Sequence, residues 1–158
     1  LSISIVCFNL GTSCGQNQVP EQKNQNMDIQ YAYTILYVKD VAETIAFYES
    51  AFGFRQKMIT PEKDYGEIQS GSTTIAFANL DLGASNFKKG FRTSQPEEQP
   101  FGIELAFTTA KVDEVMRQAI EKGAILLEEA MTKPWGQRVG YLRDINGFII
   151  EICTPIPD

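Results

Sequence analysis

The sequence predicts an α+β fold built from two copies of one βαβββ module. From residue 29 the chain runs through a strand, a helix and three short strands, and the same order returns from residue 101. A loop of about 20 residues separates the two runs, which is the length expected of a linker or a functional flap. Repetition of one order of elements at a fixed spacing indicates a duplicated unit.

The two copies also align residue by residue. The offset that aligns the two predicted helices also aligns the first strands of the two copies. The closing strands align with each other at an offset of their own. The matched positions are Val41 with Val112, Tyr33 with Glu104, and Ala76 with Glu151. We therefore divide the domain, residues 29–155, into module one (29–80), a linker (81–100) and module two (101–155).

In module one, the strand "IQYAYTILYV" is rich in β-branched and aromatic residues. The helix "DVAETIAFYESAF" follows, with Asp40 as its N-cap and Glu43 three residues later in a capping box. Its apolar residues recur at helical spacing, and Gly53 ends it. The three further strands are predicted over residues 54–59, 65–69 and 73–79.

In module two, the strand "FGIELAFTT" precedes the helix "AKVDEVMRQAIEKG". Helical spacing predicts an inward face of Val112, Met116, Ala119 and Ile120. The Asn146-Gly147 pair predicts the turn of the last hairpin. The closing strands are predicted over residues 124–131, 138–143 and 148–153.

Side chains alternate across a strand, so parity assigns each residue to a face. The set predicted to pack on the helices is Ile103, Leu105, Phe107, Phe148, Ile150 and Ile152. The opposite face carries Tyr31, Tyr33, Ile35, Tyr37, Ala76, Glu104 and Glu151. If the two sheets curve together, this face encloses a cavity with the composition of a ligand pocket. The alternative is that Glu104 and Glu151 are ordinary acids on a solvated sheet face.

Composition excludes several classes of function. The chain has 20 acidic and 14 basic residues and a net charge of -6, which repels phosphate backbones and makes nucleic acid an unexpected partner. It contains no histidine, the commonest general base and transition-metal ligand. The cysteines, Cys7, Cys14 and Cys153, lack the spacing of a zinc site or disulfide framework. Cys153 is expected to be a small core residue, since no base adjoins it in its strand.

Residues 1–28 have the character of an N-terminal leader. An apolar start and Cys14 are followed by a polar tether rich in Gln and Asn. One interpretation is a truncated lipoprotein signal with Cys14 as the lipidated residue, which would anchor the protein to a membrane. The other is that Met27 is the true start, which would make the protein cytoplasmic. Neither inserts the domain itself into a membrane.

Two stretches, "YTILYVKDVAETIAFYESAFGF" and "PWGQRVGYLRDINGFIIEI", resemble the opening and closing signatures of the vicinal oxygen chelate superfamily. Its members include glyoxalase I, extradiol dioxygenases, methylmalonyl-CoA epimerase, fosfomycin resistance enzymes and bleomycin resistance proteins. The resemblance covers the whole domain and implies paired βαβββ modules that form a cupped mixed sheet, often in homodimers.

The resemblance also implies a divalent metal, held by one side chain from the first and last strand of each module. Those positions hold Tyr33, Ala76, Glu104 and Glu151, and only Glu151 keeps the usual residue. Two carboxylates could hold Mg²⁺ or Mn²⁺ if water or substrate completed the shell. Ala76 has no side-chain group that could coordinate a metal. This departure from the ligand pattern of the family favours its metal-free binding branch, and we therefore expect no cofactor.

The leading hypothesis is therefore a metal-free small-molecule-binding protein similar to bleomycin resistance proteins. It would hold a cationic or aromatic ligand in the sheet cup or a dimer crevice, through ion pairs and cation-π contacts. The predicted ligand-binding residues are Tyr31, Tyr33, Tyr37, Ala76, Glu104, Trp135 and Glu151. Phe87, Phe91 and the Lys88-Lys89 pair are candidates for a flap.

Two alternatives stay open. In a lyase, isomerase or dioxygenase-type enzyme, Glu104 and Glu151 would be Mg²⁺ or Mn²⁺ ligands or an acid and a base, with Tyr33 as a proton donor. In the other, the domain is an interaction module whose cup is vestigial.

Overall fold

The computed structural model describes residues 28–156, and residues 31–156 belong to one compact unit. The strands are β1 (Thr34–Val38), β2 (Arg55–Ile59), β3 (Tyr65–Ser70), β4 (Thr73–Asn79), β5 (Glu104–Thr108), β6 (Ile125–Thr132), β7 (Arg138–Arg143) and β8 (Ile149–Cys153). The helices are α1 (Val41–Phe52), α2 (Leu80–Asn86) and α3 (Val112–Glu121). The predictions for Cys14 and Met27 lie outside the described residues. None of the described helices has the length and apolar character needed to cross a membrane.

The strands form two four-stranded mixed sheets, one per module. Their orders are β1-β4-β3-β2 and β5-β8-β7-β6, with parallel β1-β4 and β5-β8 pairs and antiparallel pairs elsewhere. Ile35 lies opposite Ala76 in the first sheet, and Ala106 lies opposite Glu151 in the second. These are equivalent pairs under the repeat, so the predicted α+β fold of two βαβββ modules is confirmed.

Helix α1 begins and ends where its sequence predicts. The Asp40 side chain accepts a hydrogen bond from the Glu43 backbone N–H at 2.8 Å, which satisfies one of the free donors of the first turn. Gly53 follows the helix with φ 71°, a left-handed conformation that glycine adopts without steric cost. Val41 and Ile45 are buried on its inner face.

The predicted linker contains a helix that the sequence analysis missed. Helix α2 begins directly after β4, and the Asn79 side chain caps it by accepting from the Leu82 N–H at 2.7 Å. Gly83 is a poor helix former in isolation. It is buried here, and a Cβ at this position would lie 2.6 Å from the Tyr37 ring. Packing against β1 therefore stabilises a helix that local propensity does not predict.

Two predicted inward facings are wrong. Ile120 is 41% exposed, because the buried stripe of α3 is narrower than predicted and consists of Val112, Met116 and Ala119. Ile103 is 60% exposed, because β5 begins only at Glu104 and the strand alternation does not extend to it. Tyr31, which was predicted on the opposite face, also precedes its strand, since β1 begins at Thr34, and it is 75% exposed.

A buried set of hydrogen bonds joins the two modules. Tyr48 of α1 is fully buried and donates its hydroxyl to Asp144 Oδ2 at 2.9 Å, in the turn between β7 and β8. Asn146 of the same turn donates from Nδ2 to the Thr44 hydroxyl at 3.0 Å. We call Thr44, Tyr48, Asp144 and Asn146 the polar seam. Around it the apolar core is continuous across both modules.

Asp144 also holds the last hairpin in shape. Its Oδ1 accepts from the backbone N–H groups of Asn146 at 2.9 Å and Phe148 at 2.8 Å. The predicted Asn146-Gly147 turn is present, with Gly147 at φ 91°. Burial raises the pKa of Asp144, while these backbone bonds and the Tyr48 hydroxyl oppose the rise. Burial, together with the neighbouring Asp144, raises the pKa of Tyr48.

The contributions of Tyr48 and Asp144 to the free energy of unfolding are expected to depend on each other. Tyr48→Phe should lower the free energy of unfolding by about 1.5 to 3 kcal/mol, because the buried carboxyl loses a donor. In a double-mutant cycle with Asp144→Asn, measured by urea denaturation, the two changes should be non-additive by roughly 0.5 to 3 kcal/mol.

The matched control is Tyr31→Phe, which removes an exposed hydroxyl that is hydrogen-bonded to Thr34. It should leave the unfolding midpoint unchanged. Additive effects of Tyr48→Phe and Asp144→Asn would show that the two side chains stabilise the fold independently.

Candidate functional site

The inner face of the second sheet brings together the two glutamates identified from sequence. Tyr141 of β7 lies opposite Glu151 of β8, and its hydroxyl donates to Glu151 Oε2 at 3.0 Å. Burial raises the pKa of Tyr141, and the charges of Glu151 and Glu104 raise it further. Burial and the same two carboxylates raise the pKa of the Cys153 thiol to about 11. Glu104, Tyr141, Glu151 and Cys153 therefore share one electrostatic environment.

An open cavity of about 580 Å³ lies over this face. Its lining comes from the second module and from residues 97–100, which precede it. Tyr141 and the apolar side chains of Leu127 and Ile149 form part of the wall. The acidic members of the lining are Glu97, Glu98, Glu104 and Glu128. We call this the acidic cavity.

Arg143 is the only basic residue in that lining, and its guanidinium is already engaged. It donates to the backbone carbonyls of Gln95, Pro96, Glu98 and Gly147 at 2.6 to 3.2 Å. These bonds fix residues 95–98 over the sheet, where Glu97 and Glu98 join the cavity. Sequence reasoning missed Arg143, Glu97 and Glu98, because a loop held by long-range carbonyl contacts leaves no periodic signal.

The connection between β6 and β7 carries two further groups of interest. Lys133 Nζ lies 5.7 Å from the centroid of the Tyr141 ring, within the range of a cation-π contact. Trp135 is 60% exposed, and its Nε1 donates to Gln137 Oε1 at 2.7 Å. Trp135 is therefore a surface residue, and it is not part of the acidic cavity lining.

The inner face of the first sheet has a different arrangement. Ala76 is fully buried, and Glu67 of β3 lies opposite it, as Tyr141 lies opposite Glu151 in the second sheet. Lys57 Nζ lies 2.7 Å from Glu67 Oε2, and Tyr65 donates its hydroxyl to Glu67 Oε1 at 2.9 Å. The hydrogen bond from Lys57 lowers the pKa of Glu67. The repeat alignment could have identified Glu67 as an inner-face residue, because it occupies the position equivalent to Tyr141. Its charge is balanced by Lys57, so it is not available to a ligand in the way that an unpaired carboxylate is.

The three predicted tyrosines lie outside the lining of the acidic cavity. Tyr33 neighbours Tyr65, whose pKa is raised by burial first, then by Glu67, and also by Tyr33. Tyr37 lines a separate cavity of about 290 Å³ with Phe87 and Phe91, the predicted flap residues. The structure thus brings Glu104 and Glu151 together on one sheet face, but Glu104 is the only predicted ligand-binding residue in the acidic cavity lining. The others, Tyr31, Tyr33, Tyr37, Ala76, Trp135 and Glu151, lie outside that lining.

The donor set does not fit the metal that the fold resemblance implies. Ala76 offers only a methyl group, and one oxygen of Glu151 accepts the Tyr141 hydroxyl. Within residues 28–156, no three His, Cys, Asp or Glu side chains are grouped closely enough to hold a metal ion. A protein-held site of four ligands therefore cannot form from the four equivalent positions.

The family described as "Glyoxalase-like domain" matches residues 31–157, which is most of the chain. The chain belongs to this family. Together with the paired modules, the match confirms the resemblance to the vicinal oxygen chelate superfamily. No curated protein matches the chain.

Solved structures with the same fold include three bacterial proteins. A glyoxalase-related enzyme from Fulvimarina pelagi is 22% identical, with 80% of this chain and 89% of that one covered and a TM-score of 0.67. A glyoxalase/bleomycin resistance protein/dioxygenase family enzyme from Burkholderia phytofirmans PsJN is 18% identical, with coverage of 78% and 96% and a TM-score of 0.60. TioX from Micromonospora sp. ML1 is 19% identical, with coverage of 79% and 98% and a TM-score of 0.64. At these identities the likeness extends to the fold alone.

The Cys153 thiol of this glyoxalase-like domain should titrate late. In a chain carrying Cys7→Ser and Cys14→Ser, the Cβ chemical shift of Cys153, followed by NMR, should titrate with a midpoint near pH 11, because burial and the two carboxylates disfavour the thiolate. Glu151→Gln should move the profile to lower pH, because it removes a negative charge beside the thiol.

The control is the same chain unfolded in urea, where the midpoint should fall near the ordinary thiol pKa of about 8.5. A folded-state midpoint at that value would show that neither burial nor the two carboxylates act on Cys153.

Proposed function

We propose that this glyoxalase-like domain binds a small organic cation in the acidic cavity and does so without a metal ion. The observation that carries the proposal is the imbalance of charge in that cavity. Four carboxylates line it, against a single guanidinium whose donors are already used by backbone carbonyls. A cation that enters the cavity would relieve the repulsion among the carboxylates.

The rest of the lining suits an organic cation better than a bare ion. Ammonium or guanidinium groups form charge-assisted hydrogen bonds with carboxylates, and Tyr141 offers an aromatic ring nearby. Leu127 and Ile149 supply an apolar wall for the hydrocarbon part of a ligand. A volume of about 580 Å³ lies within the usual range of small-molecule pockets.

The hydrogen bonding of Glu151 and the protonation of Cys153 favour binding over catalysis. Glu151 accepts the Tyr141 hydroxyl, and the raised pKa keeps Cys153 a thiol at neutral pH, which makes it a poor nucleophile. Ala76 provides no donor where a metal-dependent relative would need one. The homodimer and ligand sequestration, in the manner of bleomycin resistance proteins, remain predictions from the family resemblance.

A matched pair of probes tests the charge preference. 2-Naphthylmethylammonium should bind about tenfold more tightly than the neutral 2-naphthalenemethanol, a difference of about 1.4 kcal/mol. The binding should appear in NMR titrations as a shift of the Ile149 δ-methyl signal, since Ile149 lines the cavity. Glu104→Gln should weaken the ammonium several-fold, leave the alcohol unchanged, and reduce the dependence of binding on salt.

The control is Glu62→Gln, which removes the same charge from an exposed position between β2 and β3. It should leave the ammonium affinity unchanged. Equal affinities for ammonium and alcohol, or equal effects of the two glutamate substitutions, would exclude the acidic cavity as the cation site.

A further inference from the structure

A second cavity, of about 290 Å³, lies beside β1 and has the opposite chemical character. Three of its rings pack against one another. The centroids of Tyr37 and Phe91 are 4.7 Å apart at 32°, those of Tyr37 and Phe87 are 6.1 Å apart at 86°, and those of Phe87 and Phe91 are 5.8 Å apart at 76°. The rest of the apolar lining consists of Ile35, Leu36, Phe101, Ile103 and Phe148. We call this the aromatic cavity.

The rings owe their positions to α2. Gly83 of this helix is buried, and a Cβ there would lie 2.6 Å from the Tyr37 ring and 2.9 Å from the Phe91 ring. Real Cβ atoms do not approach other atoms so closely. Because Gly83 has no side chain, the Tyr37 and Phe91 rings can pack directly against helix α2.

One polar group in this lining lacks a partner. The Ser94 hydroxyl oxygen is buried and has no hydrogen-bond partner among residues 28–156. A buried hydroxyl without a partner costs about 1 to 3 kcal/mol, so such groups are rare and call for an explanation. The oxygen has almost no exposed surface, and Ser94 also lines a neighbouring cavity of about 520 Å³. A ligand in the aromatic cavity would supply the missing partner once the Ser94 side chain rotates toward it.

The charge of the aromatic cavity selects the kind of ligand. Arg92 is the only charged residue in the lining, and it forms no ion pair with a described residue. Its guanidinium carbon lies 5.3 Å from the centroid of the Phe101 ring, which also lines the cavity. Lys88 and Lys89 lie shortly before Arg92 in the chain. Positive charge beside aromatic walls is complementary to an aromatic anion.

We propose that the aromatic cavity is a second ligand site, which binds a planar aromatic carboxylate. The ring packs against the aromatic walls, and the carboxylate accepts hydrogen bonds from the Arg92 guanidinium and, after rotation of its side chain, from the Ser94 hydroxyl. The volume suffices for one or two fused rings, because a cavity of about 150 Å³ holds benzene in another protein. The two cavities of the domain then select ligands of opposite charge.

NMR titration with 2-naphthoate tests this site separately from the acidic cavity. The δ-methyl signals of Ile35 and Ile103, which line the aromatic cavity, should shift, and that of Ile149 should not. 2-Naphthoate should bind at least several-fold more tightly than 2-naphthalenemethanol at these reporters. 2-Naphthylmethylammonium should bind there more weakly than either.

Three substitutions test the assigned contacts. Arg92→Gln should remove the preference for naphthoate over the alcohol, and Ser94→Ala should weaken naphthoate several-fold. Gly83→Ala should weaken both compounds, because it displaces the rings. Lys63→Gln, which removes an exposed charge between β2 and β3, is the control and should change nothing.

The proposal is overturned if naphthoate leaves the Ile35 and Ile103 signals in place. It is also overturned if the alcohol binds there as tightly as naphthoate, or if Arg92→Gln and Lys63→Gln have the same effect. Binding of the ammonium probe at Ile149 is scored independently, so either site can fail without the other.

Discussion

The hydrogen bond between Tyr48 and Asp144 is the constraint on which the rest of the structure depends. It joins the helix of module one to the last hairpin of module two, inside a core that both modules share. Asp144 directly follows Arg143, whose guanidinium holds residues 95–98 over the second sheet. The junction of the modules thereby also positions the loop that walls the acidic cavity.

The two modules keep one backbone plan but distribute charge differently. In the first, the carboxylate on the inner face, Glu67, is paired with Lys57, and Ala76 stands where the second module has Glu151. In the second, Glu104 and Glu151 form no ion pair with a described residue, and the guanidinium of Arg143 in the cavity lining donates to backbone carbonyls. Duplication followed by different pairing of charges gives one acidic face and one neutral face on a common fold.

Much of the fold was predictable because it rests on local signals. The cap at Asp40 and the stop at Gly53 bound α1 correctly, and β4 and β7 have the predicted limits. Strand parity also placed Glu104 and Glu151 on one face. Helix α2 was not predictable, because the contact of Gly83 with the Tyr37 ring stabilises it and no local pattern encodes that contact.

The site was predictable only in part, for a similar reason. Parity assigns a residue to a face but does not say how the two sheets curve, and so Tyr37 lines a cavity separate from that of Glu104. Three of the four carbonyls that Arg143 contacts, those of Gln95, Pro96 and Glu98, lie more than 40 positions away, and only the folded chain brings them together.

The central claim is that the acidic cavity binds an organic cation in place of a metal ion. Titration of the full chain with Mn²⁺, followed by electron paramagnetic resonance, tests it most directly. The account predicts only weak, non-stoichiometric binding, with the signal of the free hydrated ion retained and no difference between the parent chain and Glu151→Gln. One tightly bound Mn²⁺ per chain, lost in Glu151→Gln and kept in Glu62→Gln, would contradict it.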